Sequence, residues 1–213
     1  MDWMRAKQAL LERAPEALGV HIVMVLITIS LAIAISVPLG ILLTRPKYKN
    51  LGVVVLNLLN ILQTIPGLAV IALTMPFLGL GLKPTIFALT IQGLLPIARN
   101  TIAGLHGVSP DVKEAALGMG MSRKKILYEV ELPLAMPIIL AGVRTSTVYV
   151  VSVGTLASYI GGGGLGDLIV TGLAMFWPEY LIIGAGLGAL LAISLDRLLA
   201  YVEYRITPPG LGT

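Results

Sequence analysis

Long apolar runs alternate with short charged stretches along most of this chain. A helix needs about 20 apolar residues to cross the hydrocarbon core of a membrane. The pattern therefore predicts an all-α membrane protein with five transmembrane helices, whose membrane domain covers residues 18–205. The five runs that reach this length lie at residues 18–43, 51–80, 85–105, 134–160 and 180–204.

The second apolar run, residues 51–80, permits two interpretations. It is either one tilted helix kinked at Pro66 and Pro76 or two short segments broken at the sequence QTIPG. Lys and Arg in short loops mark the cytoplasmic side of a membrane protein. Such residues occur before the second run, at 44–50, and after the third, at 106–133. Because two loops on one side must be separated by an even number of crossings, this pattern favours a single span.

The same charge rule predicts the orientation of the chain. It places the N-terminus outside, the C-terminus inside, and residues 161–179, which contain no Lys or Arg, outside. Residues 1–17 carry three basic residues, which count against this orientation. Apolar residues recur at helical spacing in this tail, so it is either an interfacial helix on the outer leaflet or a frayed terminus. Residues 206–213 are expected to form a short cytoplasmic tail.

Composition supports the membrane assignment. Hydrophobic residues make up 56% of the 213 residues and charged residues 12%, whereas soluble domains contain about 25% charged residues. The chain is therefore predicted to be a multi-pass protein of the cell membrane, in contact with lipid. Its basic residues lie mostly beside apolar runs, which argues against binding of nucleic acid. Cysteine is absent and the two histidines are far apart, so no metal site is predicted.

A charged segment with glycines, residues 106–133, separates the third and fourth apolar runs. Asp111 is a good helix start, and Ala115 lies on a face made of small apolar residues. Gly120 allows a sharp turn, and Ser122 can cap a second helix. The segment therefore predicts two short helices in an L shape. The alternative is an interfacial loop that lies on anionic lipid.

The same segment carries a spaced motif formed by Glu114, Ala115, Ala116, Gly120, Val130, Leu132 and Pro133. This motif resembles the EAA loop of ABC importer permeases, EAA-x3-G-x9-I-x-LP, and departs from it only at Val130. The resemblance implies a type I ABC importer permease fold with cytoplasmic coupling helices. It further implies that the motif residues couple this chain to cytoplasmic ATPase subunits, with residues 114–120 as the docking element.

Other stretches resemble the permease subunits of osmoprotectant importers, which carry glycine betaine, carnitine, choline or proline betaine. They are LLNILQTIPGLAVIALTMPFLGLG, LLPIARNT and GTLASYIGGGGLGDLI. The resemblance implies an extracytoplasmic substrate-binding protein as a partner. It also implies that ATP and Mg²⁺ are bound by the ATPase subunits, with no cofactor on this chain. Permeases of methionine or other amino-acid importers are the alternative, because the methionine family shares the five-span plan and a similar glycine-rich loop.

An enzyme is the alternative from a different class. The stretch GGGGLGD, residues 161–167, lacks the Gly-Lys-Ser/Thr ending of a nucleotide-binding loop. The sequence also lacks the His-Glu-x-x-His and Gly-x-Ser-x-Gly motifs, so no catalytic residue is predicted and an intramembrane enzyme is not favoured. We interpret the glycine-rich stretch as a flexible external turn where backbones pack closely, and His21 as an interfacial residue.

Polar side chains at helical spacing in the spans predict where a solute passes, because polar groups in hydrocarbon are costly. We interpret the polar positions of the fourth and second runs as lining the translocation path. Tyr149 and Tyr159 are candidates for holding a quaternary ammonium group. The alternative is that they form interhelical hydrogen bonds that hold the bundle together. Arg99 and Arg144 are expected to snorkel towards the cytoplasmic surface. The polar positions are Thr145, Tyr149, Ser152, Thr155 and Tyr159 in the fourth run, and Asn57, Asn60 and Thr64 in the second.

Five helices are few for enclosing a solute path, so a second permease copy or a related permease is expected as a partner. Small residues at four-residue spacing let helices approach each other closely. The sequence leaves open whether such faces pack within one subunit or between two. They occur at Gly184, Gly188 and Ala192 in the last run, and at Ala32, Ser36 and Gly40 in the first.

Overall fold

A computed structural model of the chain describes residues 2–207, apart from the side chain of Lys49. Within this part of the chain there are helices and turns without strands, which confirms the all-α fold. Met1 lies outside the described residues. So do residues 208–213, which make up most of the predicted cytoplasmic tail. The helices are α1 (Trp3–Leu43), α2 (Lys49–Thr64), α3 (Gly67–Leu78), α4 (Leu82–Gly107), α5 (Pro110–Gly118), α6 (Arg123–Ile160), α7 (Leu165–Ala174) and α8 (Pro178–Ile206).

Helix α1 is one continuous helical segment of 41 residues. Asp2 caps its start by accepting a hydrogen bond from the backbone N–H of Met4 at 3.0 Å. Residues Ala9–Arg13 form a π-helical turn. Pro15 explains this wider turn, because a proline has no N–H and its ring would clash with the carbonyl four residues earlier. The predicted N-terminal tail is therefore helical, and it continues the first membrane helix.

The first turns of α1 pack against the start of α8. The backbone N–H of Asp2 donates to the carboxylate of Glu179, and the guanidinium of Arg5 lies 4.9 Å from the ring centroid of Trp177. At 1.5 Å per residue α1 is about 60 Å long, which is twice the hydrocarbon thickness of about 30 Å. The helix is therefore longer than one crossing needs, and its first turns rest on another helix of the same chain.

Residues 51–80 form two helices with a break between them, which is one of the two interpretations that the sequence left open. Helices α2 and α3 meet at 98° across Ile65 and Pro66. Ile65 is extended, with φ −72° and ψ 127°, because a proline disfavours the helical conformation of the residue before it. Gln92 of α4 donates to the Ile65 carbonyl at 3.3 Å, which gives a partner to a backbone group at the break. By length and composition the described chain has four spans, or five if the bent pair counts as one.

Contacts at the two ends of the bundle show how the helices run. Arg45, which follows α1, forms an ion pair with Glu131 near the start of α6 at 2.6 Å. At the opposite end, the N–H of Gly81 between α3 and α4 donates to the carbonyl of Ile160 at 2.8 Å. The bent pair α2–α3 therefore carries the chain from one end of the bundle to the other, as one span does. The two basic loops lie together at the end that holds Arg45 and Glu131, called the basic end below; its cytoplasmic placement stays a prediction.

Helix α4 lies at the centre of the bundle, where it contacts α1, α2, α3 and α6. Small residues permit close contacts between these helices. Such contacts stabilise a membrane bundle because lipid supplies no hydrophobic force that would drive helices together. A Cβ atom on Gly40 of α1 would lie 2.6 Å from the side chain of Thr101, and one on Gly142 of α6 would lie 2.7 Å from the carbonyl oxygen of Pro96. The small-residue face of α1 thus packs within the chain, against α4.

The small residues of α8 are used differently along the helix. A Cβ atom on Gly184 would lie 2.8 Å from Cβ of Leu168, so Gly184 permits close packing against α7. A Cβ atom on Gly188 would meet no heavy atom within 4 Å. Ala192 is half-buried. The first of these positions therefore packs inside the chain, whereas Gly188 has open space beside it.

The glycine-rich turn before α7 is closely packed at Gly162 and Gly164, as the sequence analysis expected of its backbone. Gly164 has φ +86°, and a Cβ atom there would lie 2.8 Å from Nδ1 of His21. His21 is fully buried, not interfacial: the N–H of Leu165 donates to Nδ1 at 3.3 Å, and Nε2 lies 3.1 Å from the carbonyl of Val151. Because Nδ1 is an acceptor, Nε2 carries the proton and donates to that carbonyl. The neutral ring joins α1, α6 and the start of α7.

Candidate functional site

The segment that carries the EAA-like motif folds as α5, a turn and the start of α6. Ser109 caps α5 by accepting a hydrogen bond from the N–H of Asp111 at 3.2 Å. Pro110 takes the first helical position, where its missing N–H leaves no hydrogen bond unmade. The helix start predicted at Asp111 is therefore confirmed to within one residue.

One face of α5 is apolar and exposed at the basic end. Val112, Ala115 and Met119 recur at helical spacing on this face, and the exposed fractions of Val112 and Met119 are 42% and 76%. Ala116 beside them is buried against the chain, and Glu114 is exposed. The described part of the chain leaves this face uncovered. An exposed apolar face of this kind marks a surface for another protein or a membrane.

The turn after α5 is as sharp as the sequence predicts, but the helix that follows is longer. Gly120 has φ +80°, a left-handed conformation that glycine adopts without steric cost. Ser122 caps the next helix by accepting a hydrogen bond from the N–H of Lys125 at 3.3 Å. This helix is not a second short arm, as the sequence analysis expected. It is the start of α6, which continues for 38 residues to Ile160.

The motif residues occupy two places along this segment. The first group lies on α5 and its turn, and the second follows a π-helical turn, Leu127–Glu131. Pro133 accounts for this π turn, since its ring disfavours regular α-helical hydrogen bonding in the preceding residues. The coupling role of both groups stays a prediction. The residues are Glu114, Ala115, Ala116 and Gly120 in the first group and Leu132 and Pro133, both half-buried, in the second.

A buried carboxylate that the sequence analysis missed lies beside the motif. Glu131 is 6% exposed and accepts a hydrogen bond from Nη2 of Arg45 at 2.6 Å. Its other carboxylate oxygen lies 3.5 Å from Nζ of Lys113, which also donates to the carbonyl of Leu105 at 3.2 Å. The cluster joins the loop after α1, the end of α4, α5 and the base of α6. The sequence contains one sign of this buried carboxylate: in the stretch VELP, an acidic residue lies between two apolar ones.

The polar stripe predicted in the fourth span lies on a face of α6 that the rest of the described chain leaves largely uncovered. Thr145, Ser152 and Tyr159 are exposed, and Tyr149 and Thr155 are half-buried. The hydroxyls of Thr145 and Thr155 donate to carbonyls of their own helix, at 2.9 and 2.8 Å. Within the described residues, these two hydroxyls thus bond inside α6 rather than to another helix.

Hydroxyl groups outside the stripe form the interhelical hydrogen bonds. Ser146 of α6 is buried and donates to the carbonyl of Gly93 on α4 at 2.9 Å. Ser36 of α1 donates to the carbonyl of Leu94 on α4 at 3.1 Å. These hydroxyl groups outside the stripe thus form helix-packing hydrogen bonds of the kind that was the alternative interpretation of the stripe. The role of the stripe itself in translocation stays a prediction.

The polar residues of α2 approach the same region. Asn57 is exposed, and Oδ1 of Asn60 accepts a hydrogen bond from Nη2 of Arg99 on α4 at 2.9 Å. Arg99 therefore pairs with a neighbouring helix, and its snorkelling stays a prediction. At the break after α2, a Cβ atom on Gly67 would lie 2.5 Å from Cγ1 of Val153. The structure thus places the end of α2 beside the part of α6 that carries the stripe.

Arg144 pairs with two acidic residues of α8. Its Nε and Nη2 donate to the two carboxylate oxygens of Asp196 at 2.9 and 3.2 Å, and its Nη1 donates to Glu203 at 2.9 Å. The three side chains are 24% to 33% exposed. Bidentate pairing of an arginine with a carboxylate is among the stronger hydrogen-bonded arrangements. This network, which the sequence analysis missed, fastens α6 to α8.

Comparison with known proteins decides the family. Residues 36–208 match the family described as "Binding-protein-dependent transport system inner membrane component". The chain belongs to this family. It is a multi-pass membrane permease and not an enzyme, and the resemblance drawn from the EAA-like motif is confirmed.

Curated relatives cover almost the whole permease. It is 48% identical over 193 residues to the glycine betaine/carnitine/choline transport system permease protein OpuCB of Bacillus subtilis (strain 168), covering 91% of this chain and 88% of that protein. It is 42% identical over 188 residues to the osmoprotectant import permease protein OsmY of Salmonella typhimurium (strain LT2), covering 88% and 80%. An inward-facing structure of the MetNI methionine ABC transporter superposes with a TM-score of 0.76 at 22% identity over 100% of both chains. This last likeness confirms the permease fold.

Proposed function

We propose that this permease is the membrane subunit of an ATP-driven importer of a quaternary-ammonium osmoprotectant. Relatives at 42% to 48% identity support the substrate class, since their names specify glycine betaine, carnitine, choline or osmoprotectants. The observation that carries the mechanism is the exposed apolar face of α5, which bears the EAA motif at the basic end. A methionine importer is not favoured, because the likeness to MetNI at 22% identity supports the fold alone.

Helix α5 has the features of an element that docks into an ATPase subunit. Its exposed face is apolar at Val112 and Met119, and the small side chain of Ala115 between them lets a partner's backbone approach closely. The left-handed turn at Gly120 and the cap at Ser122 set the angle between α5 and α6. A displacement of α5 is therefore passed to a membrane helix. ATP and Mg²⁺ belong to the docked ATPase in this arrangement.

The polar face of α6 is the proposed lining of the solute path. Hydroxyl-bearing side chains facing lipid are costly, so an uncovered polar stripe is expected to face a second permease subunit and the path between the two. Tyr149 and Tyr159 add aromatic faces that attract a quaternary ammonium group. With aromatic residues at only 6% of the chain, we expect weak binding here and assign high affinity to a separate extracytoplasmic binding protein.

Reconstitution of the permease with its ATPase and binding protein in lipid vesicles tests this function. We expect glycine betaine, choline, carnitine or proline betaine to stimulate both ATP hydrolysis and uptake, and methionine to stimulate neither. Stimulation by methionine alone would overturn the substrate class.

A variant of α5 tests the docking element separately. Ala115→Arg places a charge in the centre of the exposed apolar face, so we expect the ATPase to stop co-purifying with the permease. Lys124→Gln, in the exposed start of α6, is the control and should leave co-purification intact. Equal recovery of the ATPase with both variants would contradict the docking role of α5.

A further inference from the structure

Three charged side chains from separate parts of the chain converge at the basic end. Glu131 lies between Arg45 and Lys113, at 2.6 and 3.5 Å. The carboxylate is the buried member of this group, because the side chain of Glu131 is 8% exposed while those of Arg45 and Lys113 are 36% and 30% exposed. A buried carboxylate is strongly destabilising without such partners. The group is therefore a joint built around Glu131.

The two contacts of this joint differ in strength. Nη2 of Arg45 donates to one carboxylate oxygen at 2.6 Å, which is a short, charge-assisted hydrogen bond. The Lys113 ammonium lies 3.5 Å from the other oxygen, and it also donates to the carbonyl of Leu105 at 3.2 Å. A lysine is a flexible point charge, so this second contact is the easier one to break and re-form. Within this joint, Glu131 is thus held less firmly to α5 than to the loop after α1.

We propose that Glu131 is a positioning residue that transmits the movement of α5 to the transmembrane helices. The inference rests on the proposed function, because it requires an ATPase that moves α5. Lys113 is the contact that opens and closes during transport. The Arg45–Glu131 pair keeps the ends of α1 and α6 together meanwhile. Glu131 ends the π-helical turn at the base of α6, so a pull on its carboxylate acts on the helix that carries the polar stripe.

Two matched substitutions on α6 test the proposal in the complete transporter, with ATPase and binding protein, in lipid vesicles. Glu131→Gln keeps the side-chain shape and removes the charge. We expect uptake per ATP hydrolysed to fall about five-fold while ATP hydrolysis stays within about two-fold of the unmodified protein. Glu129→Gln is the control, because Glu129 lies two residues away in an exposed pair with Lys125 at 3.8 Å. Its uptake per ATP should be unchanged.

Charge reversals separate the two halves of the joint and keep the test valid if Glu131→Gln does not assemble. Arg45→Glu combined with Glu131→Arg restores the pair between α1 and α6, but places two cations opposite each other at Lys113. We expect this double variant to assemble and to hydrolyse ATP without efficient uptake. Adding Lys113→Glu reverses all three charges and should restore uptake per ATP. If the triple variant assembles but its uptake per ATP hydrolysed is not restored, the proposal is wrong.

A labelling experiment provides a readout that needs no transported solute. The chain contains no cysteine, so Ser152→Cys places a single thiol in the polar stripe of α6. With the ATPase bound, we expect ATP and Mg²⁺ to change the rate at which this thiol reacts with a water-soluble reagent. Glu131→Gln should abolish that change, and Glu129→Gln should preserve it.

The outcomes distinguish this inference from the proposed function. Normal uptake per ATP and normal nucleotide-dependent labelling in Glu131→Gln would overturn the role of Glu131 alone. If the labelling rate depends on nucleotide but none of the tested solutes is transported, the substrate class is wrong. The role of Glu131 is then decided by comparing the labelling of Glu131→Gln with that of Glu129→Gln. If no ATPase docks on α5, both proposals are wrong.

Discussion

Arg144 shows how much a single side chain can hold together in this bundle. It lies on a membrane helix, α6, and joins two carboxylates of α8, Asp196 and Glu203, through three hydrogen bonds. Charged residues on a membrane-spanning helix are costly unless they pair with one another. Because the network holds two acids and one base, loss of the arginine would leave two negative charges facing each other.

Arg144→Gln is therefore expected to destabilise the permease. Removing one partner of a fully buried ion pair costs about 3–5 kcal/mol, and partial exposure of these groups reduces the expected loss to about 1–3 kcal/mol in the free energy of unfolding. Unfolding in detergent, followed by circular dichroism, measures the change. The control is Lys124→Gln, at the exposed start of α6, which should cost less than about 0.5 kcal/mol. Equal losses in the two variants would contradict the role of Arg144.

At the residue scale, only local arrangements could be predicted from the sequence. The cap at Ser122 and the turn at Gly120 depend on neighbouring residues, and both occur as predicted. The pairs of Glu131 and Arg144 join residues 86 and 52 positions apart. No helical spacing connects such partners, because their meeting depends on how whole helices pack.

At the element scale, apolar runs predicted the helices well and their internal geometry poorly. The run 51–80 has the length of one span, and its proline signalled a break without giving the angle. The 98° bend between α2 and α3 depends on contacts with other helices, such as that of Gln92 with Ile65. The coupling segment shows the same limit, since the capped helix after Ser122 continues directly into the fourth span.

Two glycines on α8 offer a matched test of helix packing. A Cβ atom at Gly184 would lie 2.8 Å from Cβ of Leu168 and 3.1 Å from the backbone nitrogen of Ile169 on α7. Gly184→Ala is therefore expected to lower the free energy of unfolding by about 1–3 kcal/mol. Gly186→Ala meets open space and should be neutral or stabilising by about 0.5–1 kcal/mol. Thermal unfolding of both variants in detergent measures the difference, and equal stability would contradict close packing of α7 on α8.

At the scale of the whole molecule, two faces of different character remain uncovered by the described chain. They are an apolar face on α5 and a polar face on α6. The two faces have opposite character, which suits the neighbours proposed above: an ATPase subunit for the apolar face, and a second permease with the solute path for the polar face. This division follows from the helix packing, in which α4 covers the buried face of α6 through Ser146 and Gly142.

The polar face of α6 can be tested against a purely structural role. The double substitution Ser152→Ala and Thr155→Ala should slow uptake while changing the free energy of unfolding by less than about 0.5 kcal/mol, since both positions lie on the uncovered face. Ser146→Ala removes an interhelical hydrogen bond and should lower that free energy by about 0.5–1.5 kcal/mol. Uptake assays and thermal unfolding measure the two effects. Normal uptake with lowered stability in the double variant would indicate a packing role.

The break between α2 and α3 has an electrostatic consequence. It brings the carboxyl end of one helix and the amino end of another together beside α6, and each end carries about half an elementary charge, of opposite sign. At membrane depth such ends persist only where protein or water solvates them. On the proposed path along α6, a zwitterion would therefore meet a stationary partial charge of each sign at this level, supplied by the backbone without any ionised side chain.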